Sequence, residues 1–70
     1  MHTFTLTSDY IELNKLLKYY SLVESGAEAK QVIADWLVSV NGHAELRIRN
    51  KLVAGDRVVY DGQEIIVVAS

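Results

Sequence analysis

The sequence has neither cysteine nor proline, and only four of its 70 residues are glycine and one is tryptophan. Without cysteine, no disulfide or thiolate metal site can brace so short a chain. That absence suits a reducing compartment, and the expected location is the cytoplasm. The longest apolar run, Ile65–Ala69, falls far short of the ~20 residues a membrane helix needs. The opening "MHTFTLTSDY" has neither the basic nor the apolar region of a secretory leader. The glycines form no phosphate-loop pattern. His2 and His43 are the only histidines, and neither stands among carboxylates at a metal-ligand spacing. Ser8, Ser21, Ser25, Ser39 and Ser70 lie in no nucleophile motif. Asp56 and Asp61 sit in turn contexts, as turn formers rather than acid–base groups. The chain therefore reads as a non-enzyme, with no metal, no cofactor, no small-molecule substrate and no membrane span.

Half of the residues are apolar, enough for one core, so residues 1–70 read as a single domain. Thr3–Thr7 alternates in the manner of a short strand. Leu13, Leu16, Leu17 and Tyr20 then recur at helical spacing after an Asp9–Glu12 capping pattern. Ser25 and Glu28 form a second capping pattern, followed by Ala29, Val32, Ile33 and Trp36 on one face, with Trp36 expected in the core. From there the period falls to two. Asn41-Gly42 and Asp61-Gly62 are favoured type I′ turn pairs, each between β-prone runs. The expected fold is α+β, two helices packed on a small, mostly antiparallel sheet of about four to five strands. The four tyrosines are expected to pack half-buried on sheet and helix.

Charge is unevenly placed. The chain carries 7 Lys+Arg against 9 Asp+Glu, a net −2, yet residues 30–51 hold Lys30, Arg47, Arg49 and Lys51 against Asp35 and Glu45 alone. In "RIRNK" (Arg47–Lys51) three cations fall within five residues. On a strand Arg47, Arg49 and Lys51 would project to one side, over an apolar underside of Leu46 and Ile48. Such a ridge serves either to bind an anion or to protect a sheet edge with charge. Lys15 and Lys18 lie opposite the leucine stripe of the first helix, where Glu12 can pair with Lys15 at i, i+3.

Read in order, "ESGAEAKQVI", "VSVNG" and "RIRNKLVAGDRV" resemble the αL RNA-binding domain of the ribosomal protein S-four superfamily, and within it the small bacterial proteins that consist of this domain alone. The resemblance covers Tyr10 to Val68. It implies a stand-alone, ribosome-associated type of module for structured RNA of the ribosomal or transfer class. It further implies phosphate contacts from Lys15 in the first helix, from Ser25, Gly26 and Lys30 at the start of the second, and from Arg47 and Lys51, with Arg49 adding a cation. An anion at a helix N-terminus is physically apt, although Ser25 serves equally as a plain cap. The chain departs from the family pattern at three places. Glu12 stands where an arginine often opens the first helix. Ile48 replaces the second arginine of a pair. Trp36 occupies the position where glycine commonly follows the second helix, so that helix is expected to end differently. An exposed Trp36 would be able to stack on an unpaired base. The competing function is a protein adaptor whose basic ridge docks an acidic partner. A monomer is expected.

Overall fold

Two tight turns organise the sheet in this computed structural model, which describes residues 2–70. Asn41 (φ 54°) and Gly42 (φ 87°) both take positive φ, as do Asp61 (φ 52°) and Gly62 (φ 74°). This is the type I′ geometry whose twist matches the flanking strands. The first turn joins β3 (Val38–Val40) to β4 (His43–Ala44). The second joins β6 (Arg57–Tyr60) to β7 (Gln63–Val68). β3 pairs antiparallel with β6 as well, and β1 (His2–Thr5) runs parallel to β7 with His2 opposite Ile65. The sheet order is β1-β7-β6-β3-β4, mostly antiparallel as expected. A separate two-stranded ribbon pairs β2 (Ile11–Glu12) with β5 (Lys51–Leu52).

α1 (Leu13–Tyr19) and α2 (Gly26–Ala34) supply the helices. At α2 the capping pattern forms. The Glu28 N–H donates to Ser25 Oγ at 3.1 Å, and the Glu28 carboxylate accepts from the Glu24 N–H at 2.6 Å. At α1 the expected Asp9–Glu12 cap does not form: Glu12 itself is the N-cap residue and makes no side-chain capping bond. The first amides of α1 have found other acceptors. Leu13 N–H donates to the Asn50 carbonyl at 2.9 Å and Asn14 N–H to the Ile48 carbonyl at 3.1 Å. Backbone donors at a helix start require such partners when they are not left to water.

Both helices close in the same way. After α1, Ser21 (φ 57°) donates to Lys18 O and Leu22 to Leu17 O. After α2, Trp36 (φ 65°) donates to Ile33 O and Leu37 to Val32 O, both at 3.1 Å. These are Schellman closures with a non-glycine residue in the left-handed position, at a cost of about 1 kcal/mol each. Trp36 therefore takes the conformation glycine would take, and α2 does not end differently.

One apolar cluster unites these parts. Leu13, Leu16 and Leu17 of α1 and Ala29, Val32 and Ile33 of α2 meet Val38, Val40, Val58, Ile65 and Val67 of the sheet, with Leu52 of the ribbon. Full burial of one such side chain contributes about 1.5–3 kcal/mol. Trp36 is not among them: it is 67% exposed. The expectation of a core Trp36 fails because its Cα lies one residue past the α2 C-cap, Asp35, where the chain has already left the helical path.

Candidate nucleic-acid interface

The basic stretch is built differently from the expected strand. β4 ends at Ala44, and Arg47 to Asn50 close a turn in which Asn50 N–H donates to Arg47 O at 3.2 Å. Alternation of faces therefore does not apply to Arg47 and Arg49. The physical reason lies in α1, whose opening amides take the Ile48 and Asn50 carbonyls that a continuing strand would have pointed elsewhere. Ile48 packs against the core, which accounts for an apolar residue where the family pattern has a second arginine. Only Lys51 belongs to a strand, and there it stands opposite Glu12.

Three attachments thus hold the turn: two hydrogen bonds to the first amides of α1, and the β2–β5 ribbon. They gather Arg47, Arg49 and Lys51 at the end of α1 that carries Lys15. The Arg47 side chain is 76% exposed yet not free. Its Nε donates to Glu45 Oε2 at 3.0 Å and its Nη2 to Glu45 Oε1 at 3.3 Å. The hydrogen bond from Arg47, more than the opposing effect of burial, holds the Glu45 carboxyl below its ordinary pKa, and the same bond raises that of Arg47. Lys15 Nζ lies 3.5 Å from Glu12 Oε1, the expected i, i+3 pair. Lys51 Nζ stands 5.0 Å above the Tyr10 ring centre, within cation–π range. Arg49 is exposed and, among the described residues, in no ion pair with an acid. Lys15, Arg47, Arg49 and Lys51 outnumber the acids of this corner, Asp9, Glu12 and Glu45, by one, on a chain of net −2. Beside it, Ser8, Asp9, Tyr10, Ile11, Glu12 and Lys15 line an open depression of about 410 Å³.

Ser25 caps α2, and Gly26 and Lys30 lie within it. No hydrogen bond or ion pair among the described residues links them to the Arg47–Lys51 turn. The Ser25 hydroxyl caps Glu28, and Glu24 and Glu28 bring negative charge to the helix start. Capping accounts fully for the Ser25–Glu28 pattern. Tyr10 was expected only to pack. At 40% exposure it is about half-buried as expected, whereas Tyr19 at 67% is not, and Tyr10 also lies under Lys51. Tyr10 lies just before the two-residue β2, outside any regular element, so no periodic signal marked it.

Comparison with known proteins places the geometry in context. The model of the S4 domain matches residues 4–68. The chain is 46% identical over 70 residues to YbcJ of Escherichia coli (strain K12), which is named as a candidate RNA-binding protein; the match covers 99% of this chain and all of that one. An uncharacterized protein of the same name from Shigella flexneri matches at the same identity and coverage. The solution structure of E. coli YbcJ, described as revealing an αL motif involved in RNA binding, superposes with a TM-score of 0.73 over 99% of this chain and 89% of that one.

Proposed function

Because the chain belongs to the S4 domain family, we propose that it binds RNA through the corner where the Arg47–Asn50 turn meets the start of α1. The observation that carries this reading is the gathering of Lys15, Arg47, Arg49 and Lys51, from opposite halves of the sequence, around one helix end in an otherwise acidic molecule. The RNA-binding description of YbcJ and of its αL motif supports it.

Arginine forks at Arg47 and Arg49 take phosphate oxygens in pairs, and Lys51 and Lys15 act as point charges. The backbone anchors hold the turn in place before RNA arrives, so less ordering is needed on binding. The cluster is rich in phosphate ligands and poor in side chains that read base edges. The target is accordingly a structured RNA of the ribosomal or transfer class, recognised by shape. The negative remainder of the surface repels a polyanion that does not present its phosphates to this corner. In this reading the α2 residues Ser25, Gly26 and Lys30 contribute less than the turn, since Glu24 and Glu28 offset their attraction.

The test is binding of ribosomal and transfer RNA by the wild type and by the triple variant Arg47→Ala/Arg49→Ala/Lys51→Ala, over about 50 to 300 mM salt. Three phosphate contacts give a slope of log K against log salt near −2 to −3, flattened in a folded triple variant. A wild type that binds no RNA at low salt, or a triple variant that binds equally, overturns the assignment. An acidic protein partner then becomes the occupant to test.

A further inference from the structure

Trp36 is placed where neither the backbone nor the core asks for it. Its φ of 65° is one that glycine adopts freely, its side chain is 67% exposed, and no aromatic ring among the described residues stacks on it. It does not stand alone. Leu37 and Leu46 are 55% and 47% exposed. The β3–β4 ladder sets Val40 against His43 and Ser39 against Ala44, and the 3.0 Å bond from Glu45 N–H to Val38 O extends that alignment by one step. Leu37 and Trp36 precede that last aligned pair on one side and Leu46 and Arg47 follow it on the other, so all four stand at the same end of the ladder. An exposed apolar ledge thus borders the basic turn.

We infer that Trp36, with Leu37 and Leu46 beside it, is a stacking platform for an unpaired base of the RNA whose phosphates Arg47 and Arg49 hold. The inference rests on the RNA-binding reading and adds a class of ligand to it: structured RNA that offers a looped-out or single-stranded nucleotide next to the bound backbone. A nucleotide joins a flat π-face to an anion, and Trp36 at the same end of the ladder as Arg47 complements both. A protein partner fits less well. A specific interface buries about 800 Å² per partner, about a fifth of the 4407 Å² this molecule exposes, and three side chains flanked by arginine form a far smaller patch.

Trp36 is the sole tryptophan, so its emission reports on this position alone. Ribosomal RNA, which carries loops and bulges, and a fully paired RNA duplex are titrated into the wild type, Trp36→Phe and Trp36→Gly. Affinity is read from labelled RNA, independently of tryptophan. Ribosomal RNA is expected to quench Trp36 and shield it from acrylamide. Trp36→Gly should bind that RNA about tenfold more weakly at an unchanged salt slope, with Trp36→Phe between the two. The duplex should bind all three equally. Glycine suits the left-handed position, so Trp36→Gly should melt higher than the wild type, which separates lost affinity from lost folding. If Trp36→Gly keeps full affinity for ribosomal RNA while the triple arginine–lysine variant loses it, the platform is wrong and the phosphate site stands. If the wild type binds no RNA at all, both fall. If sedimentation shows a wild-type dimer that Trp36→Gly dissociates, the ledge is a self-association surface and the inference is overturned.

Discussion

Glu45 holds Arg47 in a two-pronged grip, with Nε to Oε2 at 3.0 Å and Nη2 to Oε1 at 3.3 Å, while the Arg47 backbone N–H reaches the same Oε2 at 2.9 Å. One carboxylate therefore fixes both the side chain and the entry to the basic turn. It also withholds a cation from any incoming phosphate. Glu45→Gln should release that cation, raising RNA affinity by up to about fivefold and steepening its salt dependence. Weaker binding by Glu45→Gln would mean that ordering the turn matters more than freeing the charge.

The same pair has an acid signature. The Glu45 carboxyl is depressed chiefly by the hydrogen bond from Arg47. A depressed carboxyl contributes stability above its unfolded pKa and loses that contribution as pH falls through the folded value. In thermal melts from neutral pH to about pH 2.5, wild type and Glu45→Gln should therefore converge in the acid. The gap at neutral pH should be small, since Arg47 stands in solvent.

Arg49 should outweigh Arg47 in binding. No carboxylate among the described residues pairs with it, so a phosphate at Arg49 displaces only water. Titrations of the single alanine variants should show the larger loss for Arg49→Ala, with the salt slope reduced by about one.

Ser25 separates a cap from a contact. Ser25→Ala removes the bond to the Glu28 N–H and should lower stability by about 1 kcal/mol in urea unfolding. RNA affinity of the folded fraction should stay at the wild-type value. A tenfold loss there would return Ser25 to the binding surface.

Tyr20 predicts the alkaline limit. Its hydroxyl donates to Thr3 O at 3.0 Å, and burial, with a smaller effect of Tyr19, raises its pKa. A raised pKa means that the folded state holds the proton more tightly. The stability it confers is complete below the unfolded pKa and fades as pH rises through the folded one. Tyr20→Phe should be less stable than wild type at neutral pH and lose less of its stability in base, as followed by circular dichroism.

Features set by near neighbours were legible in the sequence. Asn41-Gly42 and Asp61-Gly62 dictated their own turns, and Ser25 with Glu28 dictated the start of α2, because each interaction spans four residues or fewer. The αL resemblance likewise pointed to the family and to the basic run. What the sequence hid was tertiary. The Asp9–Glu12 pattern looked like a cap, but Ile11 and Glu12 are drawn into the ribbon with Leu52 and Lys51, and the helix opens only at Leu13, with its first amides donating to Asn50 and Ile48, more than 30 positions along the chain. That distant demand is also what bends "RIRNK" out of a strand. Trp36 misled because helical spacing counts residues and does not register that the helix has ended.

The parallel pairing of β1 with β7 carries a kinetic consequence. Among the described strands, the one synthesised first has as its sheet partner the one synthesised last. A growing chain therefore holds β1 unpaired until residues 63–68 become available, and the loop closed at that moment is nearly the whole domain. Closure at such separation slows folding relative to a helical bundle of equal size. Until it occurs, Phe4 and Leu6 stay open to solvent and to other chains. The hairpins can form at any time; the sheet is finished only when β7 is available.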